Sequence, residues 1–276
     1  NAYYGDANYK ENGSNGQVMV EQPKFYYKVV VTDPANATVG STINVAEYYV
    51  SNVKLEGYKV HPAFLNANGT KENGYFYEGA FEAFNDTGNK LGSKAGVSPL
   101  VSQNINTFRT RAKARGTGWE QANVWTESAD QLLMMIEYGA MNMQSALGMG
   151  NVNSSAALTT GRTTGNGSSG NTSGKASAVC WRGKENPWGN VWKWVDGINI
   201  TERKPYVIVN SHSYSTAVMT DEYVNLGFNA PDYGYISRFG FNPDFDWLFM
   251  PIEASGSSTG PVGDTVSSYY DYKIRV

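Results

Sequence analysis

Tryptophan is concentrated in one short segment, and this segment constrains the fold more than any other stretch of the chain. Trp188, Trp192 and Trp194 fall within seven residues. Large aromatic side chains bury much area, and their indole N–H groups need hydrogen-bond acceptors once they are buried. The residues around Trp192 and Trp194 therefore predict an extended, largely buried strand, with Asn190 and Asp196 as candidate acceptors.

The rest of the chain is poor in charge and rich in small polar and aromatic residues. Charged residues make up 17% of the 276 residues, and 30 Gly and 19 Tyr stand among many Asn, Ser and Thr. The formal net charge of -3 offers no basic surface for phosphates, which argues against nucleic-acid binding. No apolar run approaches the roughly 18 residues that a membrane-spanning helix needs, so we expect no membrane insertion. The single cysteine, Cys180, excludes an intrachain disulfide and any multi-cysteine metal site.

Hydrophobic and aromatic runs predict several strands near the start of the chain. Residues 1–16 are rich in Gly and Asn and predict an N-terminal arm. Residues 17–21 and 24–31 carry β-branched and aromatic side chains and predict two strands. Residues 57–64 and 74–81 share a Gly-Tyr start and an Ala-Phe end on either side of an Asn-Gly turn signal, and they predict a hairpin.

Helical patterns are confined to the middle of the chain. Residues 107–115 contain good helix formers and stop before Gly116. A second helix follows Trp125, because apolar residues then recur at helical spacing, and Thr126 or Ser128 can cap it. The pattern therefore predicts two helices.

Residues 147–178 change character, because Gly, Ser, Thr and Asn dominate them. Such a segment cannot bury enough apolar surface to fold alone, so it predicts a long surface loop. Short aromatic segments separated by turns follow it. Strands, two helices, a long loop and irregular segments, without alternation of strand and helix, indicate an α+β fold.

An ordered set of motifs resembles one known family. Gly189-Asn190-Val191-Trp192-Lys193-Trp194 resembles the Gly-Asn-Val-Trp-Glu-Trp signature of the formylglycine-generating-enzyme family, with Lys193 in place of Glu. The resemblance is closer to a branch of that family found in phage tail and receptor-binding proteins, which includes targets of diversity-generating retroelements. Further blocks resemble this branch in the same order: Gly16–Tyr27, Gly57–Phe64, Ala114–Trp119, Gln131–Leu133, Ile136–Gly139 and Phe245–Pro251.

The resemblance implies a single C-type-lectin-like domain over residues 17–276, with short strands, two helices and long loops. Members of this branch usually continue past an Arg-Val pair like Arg275-Val276 into a variable region. The sequence given ends at Val276, so either the variable end lies outside it or the diversified surface lies elsewhere. Retroelement diversification is thus implied by kinship alone.

Catalytic chemistry finds little support in the residues. Formylglycine synthesis, as the resemblance implies, needs a pair of cysteines that bind copper and attack the substrate. Cys180 alone cannot form such a pair, so we expect no such activity and a buried position for this thiol. We expect His61 to be a packed strand residue and His212 an exposed residue of a polar loop, and no Gly-x-Ser-x-Gly elbow accompanies them. No catalytic residue is assigned.

A calcium loop is matched only weakly. Asn242, Asp244 and Asp246 alternate as calcium ligands can, but Trp247 stands where the loop demands Gly. Turn formation is the favoured interpretation and calcium binding the minor one. We therefore assign no metal and no cofactor.

Tyr-rich segments near the C-terminal end have the composition of recognition surfaces, because Tyr gives a large contact area at low entropy cost. The candidate ligand-binding residues are Tyr233, Tyr235, Asn242, Asp244, Tyr269, Tyr270 and Asp271. The candidate scaffold residues, which we assign to the core and not to a ligand, are Trp181, Trp188, Asn190, Trp192 and Trp194.

These features together predict a non-enzymatic virion protein, a tail or receptor-binding protein that faces outward and recognises a host cell-surface receptor or glycan. Other virion subunits are expected partners, and a homo-oligomer such as a trimer is expected. The alternative is a structural virion protein of a baseplate, collar or capsid decoration without a ligand site of its own. A degenerate enzyme is the second rival, and it predicts a deep pocket with perturbed titratable groups.

Overall fold

Short strands paired in small antiparallel sheets supply most of the regular structure. The computed structural model describes residues 2–152, 156–164, 170–171, 178–209, 212–215, 222–255 and 265–266. The strands are β1 Met19–Pro23, β2 Tyr26–Val31, β3 Ser41–Thr42, β4 Ala46–Ser51, β5 Lys59–Val60, β6 Tyr75–Gly79, β7 Phe84–Asp86, β8 Lys90–Gly92, β9 Gly170–Asn171, β10 Val179–Trp181, β11 Lys184–Glu185, β12 Ile198–Thr201, β13 Lys204–Ile208, β14 Tyr223–Asn225, β15 Gly234–Phe241, β16 Met250–Ser255 and β17 Thr265–Val266.

Three α-helices lie between β8 and β9 within the described ranges. They are α1 Ile105–Lys113, α2 Val124–Tyr138 and α3 Met143–Leu147. The predicted helices correspond to α1 and α2, whereas α3 is an addition to the two that the sequence predicts. None of the helices in the described ranges has the length and apolar character needed to cross a membrane. The combination of short strands and few helices confirms the α+β class.

The N-cap of α2 is Asn123, and not Thr126 or Ser128 as predicted. Oδ1 of Asn123 accepts hydrogen bonds from the backbone N–H groups of Trp125 and Thr126, each at 3.1 Å. Thr126 and Ser128 lie inside the helix, where their hydroxyls donate to backbone carbonyls one turn earlier. The helix ends at Gly139, whose φ of 60° is the left-handed conformation that favours glycine.

The hairpin predicted between residues 57–64 and 74–81 is wrong. β5 pairs with β2 and β6 pairs with β1, so the two segments belong to different sheets. Leu65 and Glu72, which lie between the two segments, form an isolated bridge. The reason is that Pro62–Phe64 forms a 3-10 helix, which takes the first segment out of the extended conformation before it can pair with the second.

Strand β15 joins distant parts of the chain. It has eight residues and pairs with β16 along most of its length, with β17 at its first residues and with β3 at its last. The sheets β4-β2-β5, β11-β10-β9 and β12-β13-β14 and the pairs β1-β6 and β7-β8 complete the set among the described residues. Because β3 comes early in the chain and β16 late, this sheet holds the two halves together.

One hydrophobic cluster connects α2 with most of the sheets. It includes Phe25 next to β2, Leu132 of α2, Trp181 of β10, Ile208 of β13 and Trp247 before β16, all of them buried. Burying side chains of this size contributes roughly 1.5–3 kcal/mol each to the stability of a fold. Most of the buried apolar side chains among the described residues therefore belong to one cluster that includes α2.

The predicted N-terminal arm packs against the rest of the protein. Tyr9 contacts a small second cluster made of Val18, Ala80 and Phe81. The carbonyl of Glu11 accepts a hydrogen bond from the N–H of Ala95 at 2.7 Å. Residues 2–16 therefore line the body of the protein as a series of turns.

The loop predicted over residues 147–178 is not uniformly solvated where the structure describes it. Thr160 and Thr163 are buried. The hydroxyl of Thr160 donates to the carbonyl of Lys94 at 2.8 Å, and the N–H and hydroxyl of Thr163 donate to Glu185 at 2.7 and 2.8 Å. Polar side chains can be buried when their hydrogen bonds are made, so composition alone misjudges this segment.

His61 lies in the aromatic part of the core and follows β5 as a cap. Its Nδ1 accepts a hydrogen bond from the N–H of Ala63 at 3.2 Å, and the rings of Phe25, Tyr27 and Trp247 surround it. Burial lowers the pKa of His61 to about 3, and the positive charge of Lys59 acts in the same direction. The imidazole is therefore neutral in the folded protein at ordinary pH.

Replacing His61 with Asn keeps a capping acceptor and removes the titrating group. The pKa of this imidazole is 6.5 in the unfolded chain and about 3 in the fold, so the unfolded state binds more protons between these values. The free energy of unfolding of the native protein should consequently fall by about 2 kcal/mol more than that of the variant between pH 7 and pH 5. Urea denaturation measures this difference, and parallel pH profiles would contradict a buried neutral His61.

Candidate functional site

A cleft of about 1300 Å³ is bounded by the N-terminal arm, β6, α2 and the tryptophan segment, which we define as residues 181–197. Aromatic side chains from separate elements line it, among them Tyr77 of β6, Trp119 before α2, and Trp192 and Trp194. Charged side chains from α2, β6 and the tryptophan segment line it as well. Concave sites with this mixture of aromatic and polar groups are the usual places for ligands.

The tryptophan segment leaves β11 as an irregular loop, so the strand predicted around Trp192 is wrong. Asn186 and Asn190 adopt left-handed φ values of 49° and 54°, which turn the backbone twice where a strand would have to stay extended. The segment becomes regular again at Asp196, which forms a parallel bridge with Asn123 at the start of α2.

The indole groups find acceptors other than the predicted Asn190 and Asp196. They donate to distant parts of the chain: Trp181 to Glu137 at 3.3 Å, Trp188 to the carbonyl of Met149 at 3.2 Å, and Trp194 to the carbonyl of Gln103 at 3.0 Å. Trp181 and Trp188 are buried and Trp194 is half-buried, whereas 51% of Trp192 is exposed. Trp192 therefore departs from its scaffold assignment and presents its ring to the cleft.

Asn190 connects three segments of the chain. Its Oδ1 accepts hydrogen bonds from the N–H of Leu158 at 2.7 Å and from the amide of Asn151 at 3.0 Å. Its Nδ2 donates to both carboxylate oxygens of Glu82 at 2.9 and 3.0 Å. Through these hydrogen bonds, Asn190 connects the tryptophan segment both to the loop that follows α3 and to the carboxylate of Glu82.

Carboxylates of α2 bind cationic side chains of the tryptophan segment. Lys193 contacts both oxygens of Glu127 at 3.0 and 3.1 Å, and Lys184 lies between Asp130 and Glu78. We call these contacts the α2 ion-pair ladder, which consists of Glu127–Lys193, Asp130–Lys184–Glu78 and, two turns further along α2, Glu137–Arg182. Because Glu127 and Asp130 are only 8% and 6% exposed, each needs its cation to remain charged in this environment.

The two lysines of the ladder respond differently to their surroundings. Burial lowers the pKa of Lys184, although the carboxylate of Glu78 opposes this effect. Burial also disfavours the charged form of Lys193, but Glu127 and further carboxylates outweigh it and raise the pKa. Both lysines therefore serve as internal countercharges.

Glu82 is the cleft carboxylate with the most unusual protonation. Burial raises the pKa of Glu82 to about 7, while hydrogen bonds from Asn190 and Asn186 lower it and the charge of Glu185 raises it further. This side chain consequently changes its charge near neutral pH.

His212 is half-buried and anchored, which corrects the expectation of an exposed loop residue. Its Nδ1 lies 2.8 Å from Oε1 of Glu120, and its ring centre lies 4.9 Å from that of Trp125. The hydroxyl of Tyr214 donates to the same carboxylate at 3.0 Å. Glu120 thus holds residues 212–215 against the start of α2.

The candidate ligand-binding residues do not form one site. Tyr233 is 75% exposed just before β15, and Tyr235 is half-buried in its second position. Asn242 follows the last residue of β15, and Asp244 is exposed beyond it. Eight residues of strand span about 26 Å, so the two pairs lie at opposite ends of β15. Tyr269, Tyr270 and Asp271 lie outside the described residues.

Asn242, Asp244 and Asp246 form a turn with internal partners. Oδ1 of Asn242 accepts from the N–H of Asp244 at 2.9 Å and caps the 3-10 helix Pro243–Phe245. Asp246 accepts from the hydroxyl of Tyr27 at 2.7 Å and pairs with Lys59 at 2.8 Å. Across the part of the chain that the structure describes, no group of three or more His, Cys, Asp and Glu side chains is arranged to hold a metal ion.

No protein-family model matches the chain, and no curated protein matches it. The geometry of the cleft and the motifs of the sequence therefore carry the functional argument.

Replacing Lys184 with Met keeps a long side chain and removes the charge between Asp130 and Glu78. Removal of one partner from a buried ion pair leaves an uncompensated charge, so we expect a loss of about 3–5 kcal/mol in the free energy of unfolding. Arg238→Met is the matched control, because both side chains of its pair with Glu253 are exposed, at 60% and 56%. We expect less than about 1 kcal/mol for this control in the same urea titration. Equal small losses for both variants would contradict the ladder.

Replacing Glu82 with Gln tests whether the raised pKa of this carboxyl makes the stability of the protein depend on pH. The pKa of this carboxyl is 4.5 in the unfolded chain and about 7 in the fold, so the folded state binds more protons between these values. The free energy of unfolding should therefore fall as the pH rises from 4.5 to 7, by about 2 kcal/mol after allowance for partial exposure, and Glu82→Gln should remove this fall. Glu253→Gln, whose carboxylate is 56% exposed, serves as control. A fall that persists in Glu82→Gln would show that this residue is not its source.

Proposed function

We propose that the chain is a non-enzymatic recognition module with a C-type-lectin-like fold, a tail or receptor-binding protein of a virion that binds a host cell-surface glycan or protein. The observation that carries this proposal is the cleft, in which exposed aromatic rings stand on a framework fixed by buried ion pairs. Rigid scaffolds that hold irregular segments at their surface are typical of binding proteins. The virion context rests on the resemblance of the tryptophan segment and the ordered motifs.

The departure of the tryptophan segment from the family signature at Lys193 has a physical explanation in this structure. Lys193, which stands where the signature has Glu, contacts Glu127 at 3.0 Å. A Glu at this position would place two carboxylates together in a largely buried place, at a considerable electrostatic cost. The lysine is therefore matched to the carboxylate of Glu127 on this particular α2.

Recognition involves two surfaces in this proposal. The first is the cleft, where Trp192 and Tyr77 are 51% and 46% exposed. The second is the start of β15, where Tyr233 is 75% exposed beside Tyr235. Because Trp and Tyr dominate the energetics of most binding interfaces, these side chains are the expected anchors.

The degenerate-enzyme alternative is favoured by one observation, the pKa of about 7 at Glu82 within a cleft. The partners of the cleft groups argue against it. Asn186 and Asn190 hold the carboxylate of Glu82, and His212 and Tyr214 hold that of Glu120. These titratable groups join segments of the protein to one another, which favours binding without catalysis.

Replacing Trp192 with Ala should weaken attachment to host cells by at least about ten-fold in affinity, because truncation of an aromatic anchor costs about 2 kcal/mol or more. Tyr233→Ala should weaken attachment less, by about two- to five-fold, since an exposed rim residue contributes less. Fluorescently labelled protein bound to a panel of bacterial strains provides the measurement. Far-ultraviolet circular dichroism of each variant checks that the fold is intact.

The structural virion alternative predicts the opposite result for attachment to host cells. It predicts no attachment to any strain, no effect of either variant and a large contact area between copies of the chain. Light scattering of the purified protein reports the expected homo-oligomer under both views. Attachment to cells therefore decides between the two, and its absence throughout the panel would overturn the proposal.

A further inference from the structure

Open aromatic rings enter the cleft from separate elements of the fold. Trp192 of the tryptophan segment is 51% exposed, Tyr77 of β6 is 46% exposed and Tyr3 of the arm is 61% exposed, and all three line the cleft. The volume of about 1300 Å³ exceeds the roughly 300–1,000 Å³ of ordinary small-molecule pockets. These dimensions fit a ligand of several linked units that offers apolar faces at intervals.

Carboxylates outnumber cations among the residues that line the cleft. The carboxylates are eight, namely Glu11, Glu21, Glu78, Glu82, Glu120, Glu127, Asp130 and Glu185. The cations are five, namely Lys10, Arg115, Arg182, Lys184 and Lys193. Because Glu82 changes its charge near neutral pH, the lining carries an excess of between two and three negative charges there, which repels an anionic ligand as it approaches.

Four of these five cations already hold carboxylates of the protein. The pairs are Arg115 with Asp86, Arg182 with Glu137, Lys184 with Asp130 and Glu78, and Lys193 with Glu127. An acidic ligand would have to displace these internal partners, three of which are largely buried, before it could gain a cation. An acidic ligand is therefore disfavoured by the contacts as well as by the net charge.

Acceptor oxygens, in contrast, remain available beside the aromatic rings. Glu21 is exposed and lies next to Tyr77, whose hydroxyl donates to Oε2 at 2.5 Å. An ionised carboxylate has about four lone-pair sites, so one such hydrogen bond leaves room for hydroxyl donors from a ligand. The pair presents an aromatic ring and a hydrogen-bond acceptor side by side, at facing positions of the paired strands β1 and β6.

We infer that the cleft binds an extended, uncharged saccharide and discriminates against acidic ones. Trp192 and Tyr77 stack against the C–H faces of sugar rings, and Glu21 accepts hydrogen bonds from their hydroxyl groups. A sugar ring combines an apolar face with a rim of hydroxyl donors, which is the complement of this lining. The inference rests on the proposed function and names the class of its ligand and the surface that binds it.

A glycan array that carries neutral and acidic oligosaccharides is the first test of this inference. We expect the protein to be retained on neutral glycans. Binding to sialylated, sulfated or uronic-acid glycans should be weaker by at least about ten-fold in affinity, which corresponds to about 1.4 kcal/mol. Isothermal titration with an N-acetylglucosamine tetramer and a galacturonic acid tetramer then compares a neutral and an acidic chain of equal length. Retention of acidic glycans alone, or of none, would overturn the inference.

Variants locate the binding surface. Tyr77→Ala and Trp192→Ala should each weaken binding of the retained neutral glycan by about ten-fold. Tyr49→Ala is a matched control, because Tyr49 is 42% exposed on β4, donates to Glu47 at 2.5 Å and lies outside the cleft lining. We expect this control to change affinity by less than about two-fold, since it removes the same chemistry from another surface. Glu21→Lys should shift preference toward the acidic tetramer, and unchanged preference would contradict the charge argument.

Treatment of the cells separates failure of this inference from failure of the proposed function. Periodate, which cleaves sugar rings at vicinal diols, should weaken attachment of the protein to its host strain, and protease should leave attachment intact. The reverse pattern, protease-sensitive attachment with no retained glycan, would replace the saccharide with a protein ligand and leave the recognition function standing. Absence of attachment to untreated cells would reject both.

Discussion

The buried charges of α2 impose the main constraint on this structure. Glu127 and Asp130 are only 8% and 6% exposed, and a carboxylate in such a place is strongly destabilising without a cation. Lys193 and Lys184 supply the cations, and both belong to the tryptophan segment. The helix can therefore keep its position in the core only while that segment lies against it. This requirement fixes the tryptophan segment, with its exposed Trp192, as one wall of the cleft.

Polar contacts organise the remaining walls of the cleft in the same manner. Glu82 receives the amides of Asn186 and Asn190, and Glu120 receives His212 and Tyr214. Each carboxylate thus binds two groups that are distant in the sequence. A chain with few charged residues uses those inside the cleft as structural links, which leaves exposed aromatic rings and spare acceptor oxygens as the groups available to a ligand. This division of roles connects the low charge of the sequence with a preference for uncharged partners.

Local patterns in the sequence predicted the local elements and failed where distant residues decide the outcome. The helices α1 and α2, the strands β1 and β2 and the α+β class followed from residue spacing. The partners of β5 and β6 and the path around Trp192 depend on pairings that no local pattern contains. Lys193 is 66 residues from Glu127 and Lys184 is 106 residues from Glu78, so these contacts have no local signature. One signal was present, because Glu127 and Asp130 lie three residues apart beside the buried Ala129 and Leu132 of α2, which places acidic groups close to the core.

The central claim is that the contact between Glu127 and Lys193 fixes the tryptophan segment to α2. A double-mutant cycle of Glu127→Gln and Lys193→Met, measured as the free energy of unfolding in urea, tests it most directly. The account predicts that each single variant has a clearly lower free energy of unfolding. The double variant should lose at least about 1 kcal/mol less than the sum of the two single losses, because it contains neither charge and so leaves no buried charge unpaired. Losses that add within about 0.5 kcal/mol would contradict the claim, because they would show that the two side chains stabilise the protein independently.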